Sequence, residues 1–275
     1  MNEETRARVE ARLRYHTDLG IHSFYLDRQF QPRATSLSVV DTSQTETAPA
    51  VPHADIQAAP PAVRSPRPII QSPSLFDAVQ RVENDSLERI RADMGDCTRC
   101  RLHQGRTNIV YGDGNPKAQL VFVGEGPGHD EDVQGLPFVG RAGKLLTQMI
   151  EAMGLRRADV YICNVVKCRP PENRTPAPDE MSTCSPFLLR QLAVIQPRVI
   201  VTLGSVATQA LLRSKDSISR CRGQWFEFGD ARLMVTYHPA YLLRSPGEKG
   251  KVWDDLKKVM AYLDLPLPKA ARASL

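Results

Sequence analysis

The sequence predicts a three-layer α/β/α sandwich built on a mainly parallel, four-stranded sheet. Short, nearly continuous apolar runs rich in Val and Ile are typical of strands that are buried on both faces. These runs alternate with segments of helical periodicity, which indicates strand-helix-strand crossovers. The strands are predicted at 119–123, 160–166, 199–203 and 233–236, and the helices between and after them at 142–153, 178–195, 205–212 and 249–263.

Composition divides the 275-residue chain into three parts. Residues 1–30 have the pattern of a short amphipathic helix or a tail, and residues 31–74 hold eight of the 21 prolines among Ala, Ser, Thr and Gln. Such a segment buries too little apolar area to offset its ordering entropy, so we expect a disordered linker at 31–74. Helical periodicity resumes from Ser74 to Met94, which places the folded domain at 75–275.

The formal net charge of +5 arises entirely within residues 75–275, because residues 1–74 carry eight basic and eight acidic side chains. This modest excess is compatible with a polyanionic partner without requiring one. No apolar run reaches the roughly 20 residues of a membrane helix, and the charged N-terminus lacks the apolar centre of a secretory signal. We expect a monomer in the bacterial cytoplasm, associated with the nucleoid and not with membranes.

Six cysteines in a reducing compartment favour metal binding or redox chemistry over disulfides. Cys97 and Cys100 form a Cys-x2-Cys pair, and Cys168 and Cys184 follow far along the chain. Four sulfurs suit either a tetrahedral zinc ion or a [4Fe-4S] cluster. Zinc ribbons usually have a second Cys-x2-Cys pair, which is absent here, so the spacing favours the cluster, with zinc as the alternative. The alternative to such a site is that Cys168 and Cys184 are ordinary buried thiols.

Polar or glycine-rich residues follow each predicted strand. The turn 124–128, Gly-Glu-Gly-Pro-Gly, follows the first strand; Asn164 lies near the end of the second, and His238 follows the fourth. Ligands of parallel sheets bind beyond the carboxyl ends of the strands, so we expect the chemistry there. The turn lacks the dinucleotide-binding and Walker patterns, but its exposed backbone amides can approach a planar ligand closely.

Four motifs in the predicted domain, interleaved with the four cysteines, carry a family resemblance. They are GEGPGHDED with GLPFVGRAGKLL, YICNVVKCRPPENRTP, VTLGSVA and YHPAYLLR. In this order they resemble the family 4 uracil-DNA glycosylases, the iron-sulfur class, over roughly Ile90 to Leu263. That resemblance implies an enzyme that hydrolyses the N-glycosidic bond of deoxyuridine flipped out of single- or double-stranded DNA, the first step of base excision repair.

The resemblance also implies a uracil-binding set. Phe138 stacks on the base, and Asn164 reads O4 and N3–H, because a side-chain amide offers one donor and one acceptor. His238 faces O2 and stabilises the negative charge of the leaving base. Backbone amides from Gly124 to Gly126 complete the site.

The water-activating residue is the least specified. The related family 1 enzymes have Asp at the third position of the comparable motif, where this chain has Gly126. Glu125 is therefore our candidate for polarising the water or supporting the cationic sugar. Glu131 is second, either in that role or in closing the uracil C5 edge against thymine.

The resemblance places DNA contacts in two regions. The loop after His238 resembles a minor-groove loop in which an apolar wedge, Leu242 and Leu243, fills the vacated stack while Arg244 meets a phosphate. Lys167 and Arg169, beside a cysteine, are candidates for a second phosphate contact. A merely solvated basic face is the alternative for these last two.

Two rival functions stay open at this stage. A related class binds uracil DNA covalently through a histidine after the asparagine strand, but this chain has no histidine between His129 and His238. The other rival is a non-catalytic, cluster-bearing binding module of the same fold. Uracil-containing DNA is the expected partner, and the N-terminal arm is a candidate site for an unidentified protein.

Overall fold

The computed structural model of the chain describes residues 84–266. The predicted helix or tail at 1–30 and the linker at 31–74 lie outside the described residues, as does the beginning of the helical segment predicted from Ser74. Between residues 84 and 266, no helix is both long enough and apolar enough to cross a membrane.

A six-stranded sheet forms the centre of the fold, with the order β1-β3-β2-β4-β6-β5. Its four inner strands are parallel to one another, and both edge strands pair antiparallel. The strands are β1 (Asp113–Gly114), β2 (Leu120–Gly124), β3 (Tyr161–Asn164), β4 (Val199–Leu203), β5 (Trp225–Phe228) and β6 (Ala231–Thr236).

The sequence predicted the four inner strands, and their observed bounds lie within two residues of the predicted bounds at each end. The two edge strands, β1 and β5, were not predicted. β1 has only two residues, too few for a periodic signal. β5 is partly exposed and pairs with β6 across a two-residue turn, Gly229-Asp230, in which Gly229 has φ +58°. A short Gly-containing connection between apolar runs is a hairpin signal, so this strand was detectable from the sequence.

Helices cover both faces of the sheet. Within residues 84–266 the α-helices are α1 (Leu87–Met94), α2 (His129–Gln134), α3 (Arg141–Ala152), α4 (Pro178–Ile195), α5 (Ser205–Leu212), α6 (Ile218–Cys221), α7 (Pro239–Arg244) and α8 (Lys249–Tyr262). The predicted α4 and α5 have the observed bounds, whereas α2, α6 and α7 were not predicted. These three have at most six residues, which is too short for an amphipathic pattern.

Two apolar clusters confirm the three-layer sandwich. Alternate strand residues such as Val121 and Val123 pack against α4 and α5 on one face. Leu120 and Phe122 point to the opposite face, where α3 and α8 cover them. Because successive side chains of a strand point to opposite faces, continuous apolar strands require helices on both sides.

The parallel strands end together at one edge of the sheet. Gly124 at the end of β2 pairs in register with Asn164 at the end of β3, and Leu203 of β4 pairs with Thr236 of β6. The chain leaves β2 towards β3 and leaves β4 towards β6, so the direction of the crossovers reverses between β2 and β4. A crevice opens at such a reversal, and this is where the cavity lies.

Candidate functional site

A cavity of about 750 Å³, called here the base pocket, lies beyond the carboxyl ends of the parallel strands. Residues at the ends of the four parallel strands, or in the loops that directly follow them, form part of its wall. Those with polar or aromatic side chains include Glu125, Glu131, Phe138, Asn164, Ser205, Tyr237, His238, Tyr241 and Arg244. One cavity is therefore lined by predicted base-contact residues from three of the four motifs, namely Glu125, Gly126, Phe138, Asn164 and His238.

Gly124 lies where no larger residue fits. A Cβ atom on Gly124 would overlap Asn164 Oδ1 and lie 2.6 Å from Phe138 Cζ. A Cβ on Gly126 would lie 2.7 Å from Val166 Cγ2. The carbonyl groups of Gly124 and Glu125 accept hydrogen bonds from the chain that continues β3, at 3.0 and 3.2 Å. The glycine turn thus brings bare backbone to the pocket wall.

Asn164 presents an unused acceptor to the base pocket. The residue is only 1% exposed, and its Oδ1 atom has no hydrogen-bond partner within the described part of the chain. An unpaired buried amide oxygen costs free energy, and native proteins rarely keep one without a reason. A ligand that donates a hydrogen bond at this position would satisfy it.

Phe138 also lines the base pocket and is buried. Its ring centroid is 5.6 Å from that of His238, and the two rings are tilted by 33°. The backbone of Phe138 is in the left-handed region, with φ +52°, although the residue is not glycine. A flat aromatic face is therefore held beside the imidazole and the amide of Asn164.

His238 is a neutral imidazole with a defined tautomer. The backbone N–H of Ala240 donates to His238 Nδ1 at 3.1 Å, which leaves the ring proton on Nε2. Burial lowers the pKa of His238 to about 4, and the nearby Arg244 acts in the same direction. The histidine also caps α7, whose first residue is Pro239, so its backbone is fixed by the helix start.

Glu125 is a partly buried carboxylate in the wall of the base pocket. Burial raises the pKa of Glu125 above its ordinary value, and a hydrogen bond with Thr175 opposes this rise. A partly buried carboxylate with a raised pKa at a cavity wall is typical of general bases and electrostatic stabilisers.

Glu131 lines the same cavity, but its oxygens are engaged. Oε1 accepts from the backbone N–H groups of Val139 and Gly140 at 2.9 Å each, and Oε2 accepts from Gly128 N–H at 3.2 Å. The structure therefore does not support the expectation that Glu131 activates water, because these three bonds hold the neighbouring loops together.

Two predicted DNA contacts were wrong because their side chains are buried. Lys167 is 1% exposed, and its Nζ atom donates to Asn164 O at 2.9 Å and to Gln191 Oε1 at 2.6 Å. Leu242 is 1% exposed, since α7 turns it towards the core. A lysine or leucine in these positions cannot reach DNA.

The other three predicted DNA contacts remain accessible. Leu243 is 39% exposed, and Arg244 is exposed at the mouth of the base pocket. Arg169 is partly exposed, with Nε donating to Asn173 Oδ1 at 2.8 Å. Next to Arg244, the rings of Tyr237 and Tyr241 lie 4.9 Å apart and add an aromatic surface that the sequence analysis did not assign. Their positions on either side of His238 were the available signal.

The four predicted cysteine ligands border a second, smaller cavity, called here the cysteine cavity. Its walls are formed by Met94, Cys97, Cys100, Lys167, Cys168, Thr183, Cys184 and Phe187. Cys163 and Cys221 do not border this cavity and are buried in the apolar core.

Hydrogen-bond donors surround the cysteine sulfurs. Arg106 Nη1 donates to Cys168 Sγ at 3.3 Å, and the backbone N–H of Lys167 donates to Cys184 Sγ at 3.3 Å. Such N–H···S contacts and nearby cations stabilise metal-bound thiolates. No three His, Cys, Asp or Glu side chains of residues 84–266 are grouped tightly enough for a single metal ion. Four cysteine side chains around one cavity are chemically suited to hold a metal ion or an iron-sulfur cluster.

Comparison with known proteins agrees with this geometry. A sequence profile of the uracil DNA glycosylase superfamily matches residues 111–257. A type-4 uracil-DNA glycosylase of Thermotoga maritima is 49% identical over 171 residues, which are 61% of this chain and 89% of that protein. One from Archaeoglobus fulgidus is 47% identical over 183 residues, 64% of this chain and 92% of that protein. A type-5 uracil-DNA glycosylase of Pyrobaculum aerophilum is 32% identical over 155 residues, 50% and 67% of the two chains.

Proposed function

The chain belongs to the type-4 uracil-DNA glycosylases of the uracil DNA glycosylase superfamily, and we propose that it hydrolyses the bond between uracil N1 and deoxyribose C1′ in DNA. The single observation that carries this proposal is the buried, unpaired Oδ1 of Asn164 in the wall of the base pocket. Uracil N3–H supplies the hydrogen bond that this oxygen lacks.

Base selection follows from the Asn164 amide. Uracil presents an acceptor at O4 beside the donor N3–H, so the amide can donate to one and accept from the other. Cytosine presents the opposite pair and would leave buried polar groups without partners, at a cost of about 1–3 kcal/mol for each group. Because Gly124 has no side chain, the Phe138 ring can lie beside the Asn164 amide, where a flat base can stack on the phenyl ring.

His238 stabilises the departing base. As the C1′–N1 bond breaks, its electron pair goes to the base, and negative charge collects on O2. The Nε2–H of the neutral imidazole donates to O2, because Nδ1 is already occupied by Ala240 N–H. One donor placed at a developing negative charge typically lowers a barrier by about 3–4 kcal/mol.

Glu125 acts on the sugar side of the reaction. Water adds to C1′ of the cationic sugar and loses a proton, while the uracil anion takes up a proton. The carboxylate of Glu125 polarises this water or stabilises the cation, and it keeps that capacity as long as it is ionised.

Cys97, Cys100, Cys168 and Cys184 would hold a [4Fe-4S] cluster, with zinc as the less favoured occupant. When bound, the cluster supplies a covalent cross-link between chain segments that are far apart in sequence. Cys168 lies four residues after Asn164, so ligation there fixes the chain that leaves the base-reading strand. No step of the hydrolysis requires the cluster.

DNA binding is proposed to use exposed residues around the pocket mouth. Leu243 is positioned to enter the vacated base stack, and Arg244 and Arg169 to contact phosphates. We propose that the protein acts as a cytoplasmic monomer on uracil-containing DNA.

The test is excision from a single-stranded oligonucleotide that carries one deoxyuridine, followed by alkaline cleavage on a denaturing gel. We expect a break at the uracil and none at thymine or cytosine. Asn164→Ala should lower the single-turnover rate by roughly 10²- to 10³-fold, through loss of two hydrogen bonds. Asn115→Ala, which removes an amide from a turn outside the pocket, should retain full activity.

Two results would contradict the proposal. Intact DNA after alkali would support a non-catalytic binding module. A protein-DNA band that survives denaturation would instead support the covalent class of uracil-DNA binders.

A further inference from the structure

The loop from Pro137 to Gly140 holds Phe138 in a conformation that its own sequence disfavours. A non-glycine residue at φ +52° has a steric cost, and such residues persist where the surroundings determine the backbone. The loop also presses on α3, because a Cβ on Gly143 would overlap the carbonyl group of Phe138. The contacts that maintain this conformation therefore decide where the phenyl ring lies.

Arg157 makes the contacts on one side of the loop. It belongs to a 3-10 turn, Arg157–Asp159, that precedes β3. Its Nη1 atom donates to Phe138 O at 3.0 Å, and Nη2 donates to Pro137 O. The Arg157 side chain is 24% exposed, so these bonds are largely shielded from water. Among residues 84–266, Arg157 is the only residue whose side chain donates hydrogen bonds to these two carbonyl groups.

Glu131 makes the contacts on the other side. Its Oε1 atom accepts from the N–H groups of Val139 and Gly140, directly after the two carbonyl groups that Arg157 binds. Two side chains of opposite charge thus hold the loop from both directions. The planar guanidinium suits this task, because its fixed N–H donors can bind two adjacent carbonyl oxygens at once.

We infer that Arg157 is a positioning residue for uracil binding, which holds Phe138 in its left-handed conformation so that the ring stacks on the base. This inference rests on the proposed function and adds to it a residue outside the recognised motifs. Arg157 does not line the base pocket, so we expect its effect on uracil to pass through the loop that carries Phe138.

The experiment is a double-mutant cycle read by inhibition with free uracil, together with KM and the single-turnover rate. Arg157→Ala and Phe138→Ala should each weaken uracil binding about tenfold, the lower range for loss of one base-aromatic stack. In the Phe138→Ala background, Arg157→Ala should weaken it less than twofold further. Arg157→Lys should give an intermediate loss, because an ammonium can reach a carbonyl but not bind both in one plane.

Arg156→Ala is the matched control. Arg156 is the neighbouring residue, its side chain is 83% exposed, and it pairs only locally with Asp159. The Arg156→Ala variant should bind uracil with the same affinity as the unaltered protein. Melting temperatures of all variants exclude global unfolding, and Arg157→Gln replaces Arg157→Ala if the latter melts below the assay temperature.

The inference would be overturned if Arg157→Ala left the affinity for uracil unchanged. It would also be overturned if the fold-losses of affinity in the two single variants multiplied in the double variant. In both cases the proposed function would stand. An equal loss in Arg156→Ala would overturn it as well. Failure of the unaltered protein to bind uracil and to excise it would contradict the proposed function and this inference together.

Discussion

The base pocket and the cysteine cavity share one stretch of chain but differ in how their polar groups are satisfied. Asn164 faces the base pocket with an acceptor that has no partner among residues 84–266. Three and four residues later, Lys167 and Cys168 border the cysteine cavity, where Arg106 and the backbone N–H of Lys167 already donate hydrogen bonds to sulfur. Unsatisfied groups suit a ligand that enters and leaves, whereas satisfied groups suit a permanent scaffold.

The largest expected effect is that of removing a cysteine ligand from the cysteine cavity, which is the proposed scaffold. Cys168→Ser should remove a cluster ligand, abolish the broad absorbance near ~400 nm and lower the free energy of unfolding by about 5 kcal/mol. Iron content, the absorbance spectrum and thermal unfolding measure the outcome. Cys221→Ala, in the apolar core, should keep both iron and absorbance. A Cys168→Ser protein with normal iron and stability would contradict the cysteine assignment.

His238→Ala should have the opposite profile, with catalysis lost and the scaffold intact. Loss of the Nε2–H donor to uracil O2 should lower the single-turnover rate about 10²- to 10³-fold, while iron content and melting temperature stay near those of the unaltered protein. His129→Ala is the control, because that side chain is 65% exposed. If His238→Ala lost iron in parallel with activity, the two regions would not be separable.

Lys167 and Arg169 lie two residues apart, and substitutions at these positions should have smaller effects that distinguish a buried basic side chain from an exposed one. Lys167→Met should destabilise the protein by about 2–3 kcal/mol, because the Asn164 carbonyl and Gln191 Oε1 lose a buried donor. Arg169→Met should change stability by no more than about 0.5 kcal/mol and should instead weaken DNA binding, with a smaller salt dependence. Denaturant unfolding and DNA titrations at several salt concentrations distinguish them. Equal destabilisation by the two variants would contradict the different burial of the two side chains.

The smallest effect concerns the pH dependence of Glu125. Burial raises the pKa of this carboxyl, so the acid limb of the pH-rate profile should lie above the ordinary glutamate value of about 4.3. The folded protein binds the extra proton in this window, so this group's contribution to stability falls as pH rises through it. Glu125→Gln should flatten the acid limb, slow the reaction and slightly raise stability at neutral pH. An unchanged acid limb in Glu125→Gln would assign that limb to another group.

His238 contributes to stability with the opposite sign. Its pKa is lowered to about 4, so the unfolded chain binds a proton that the folded protein does not between that pH and about 6.5. The stability due to the buried neutral imidazole is therefore present above pH 6.5 and is lost as pH falls towards 4. This range lies below neutral pH, where the reaction is proposed to run.

Local sequence signals predicted the parts of the fold that depend on short-range periodicity. The bounds of α4, α5 and β4 agree with the structure to the residue. The elements that were missed, β1 and α2 among them, have two to six residues, and such segments form because larger elements around them provide partners. The placement of Asn164 and His238 at one edge of the sheet was predictable, because each lies at or just after the end of a parallel strand, whereas Phe138 was assigned only through the family resemblance.

The sequence by itself determined the fold class, the edge of the sheet that carries the pocket and the set of four cysteines, since these follow from periodicity, strand ends and spacing. Only the tertiary structure decided that Lys167 and Leu242 point inward, that Glu131 is occupied by backbone amides and that Arg157 reaches the loop of Phe138. The direction in which a side chain points depends on how neighbouring elements pack, and so does its choice of partner. Arg157, for example, binds Phe138, which lies 19 residues away in the chain. No local sequence pattern encodes such packing.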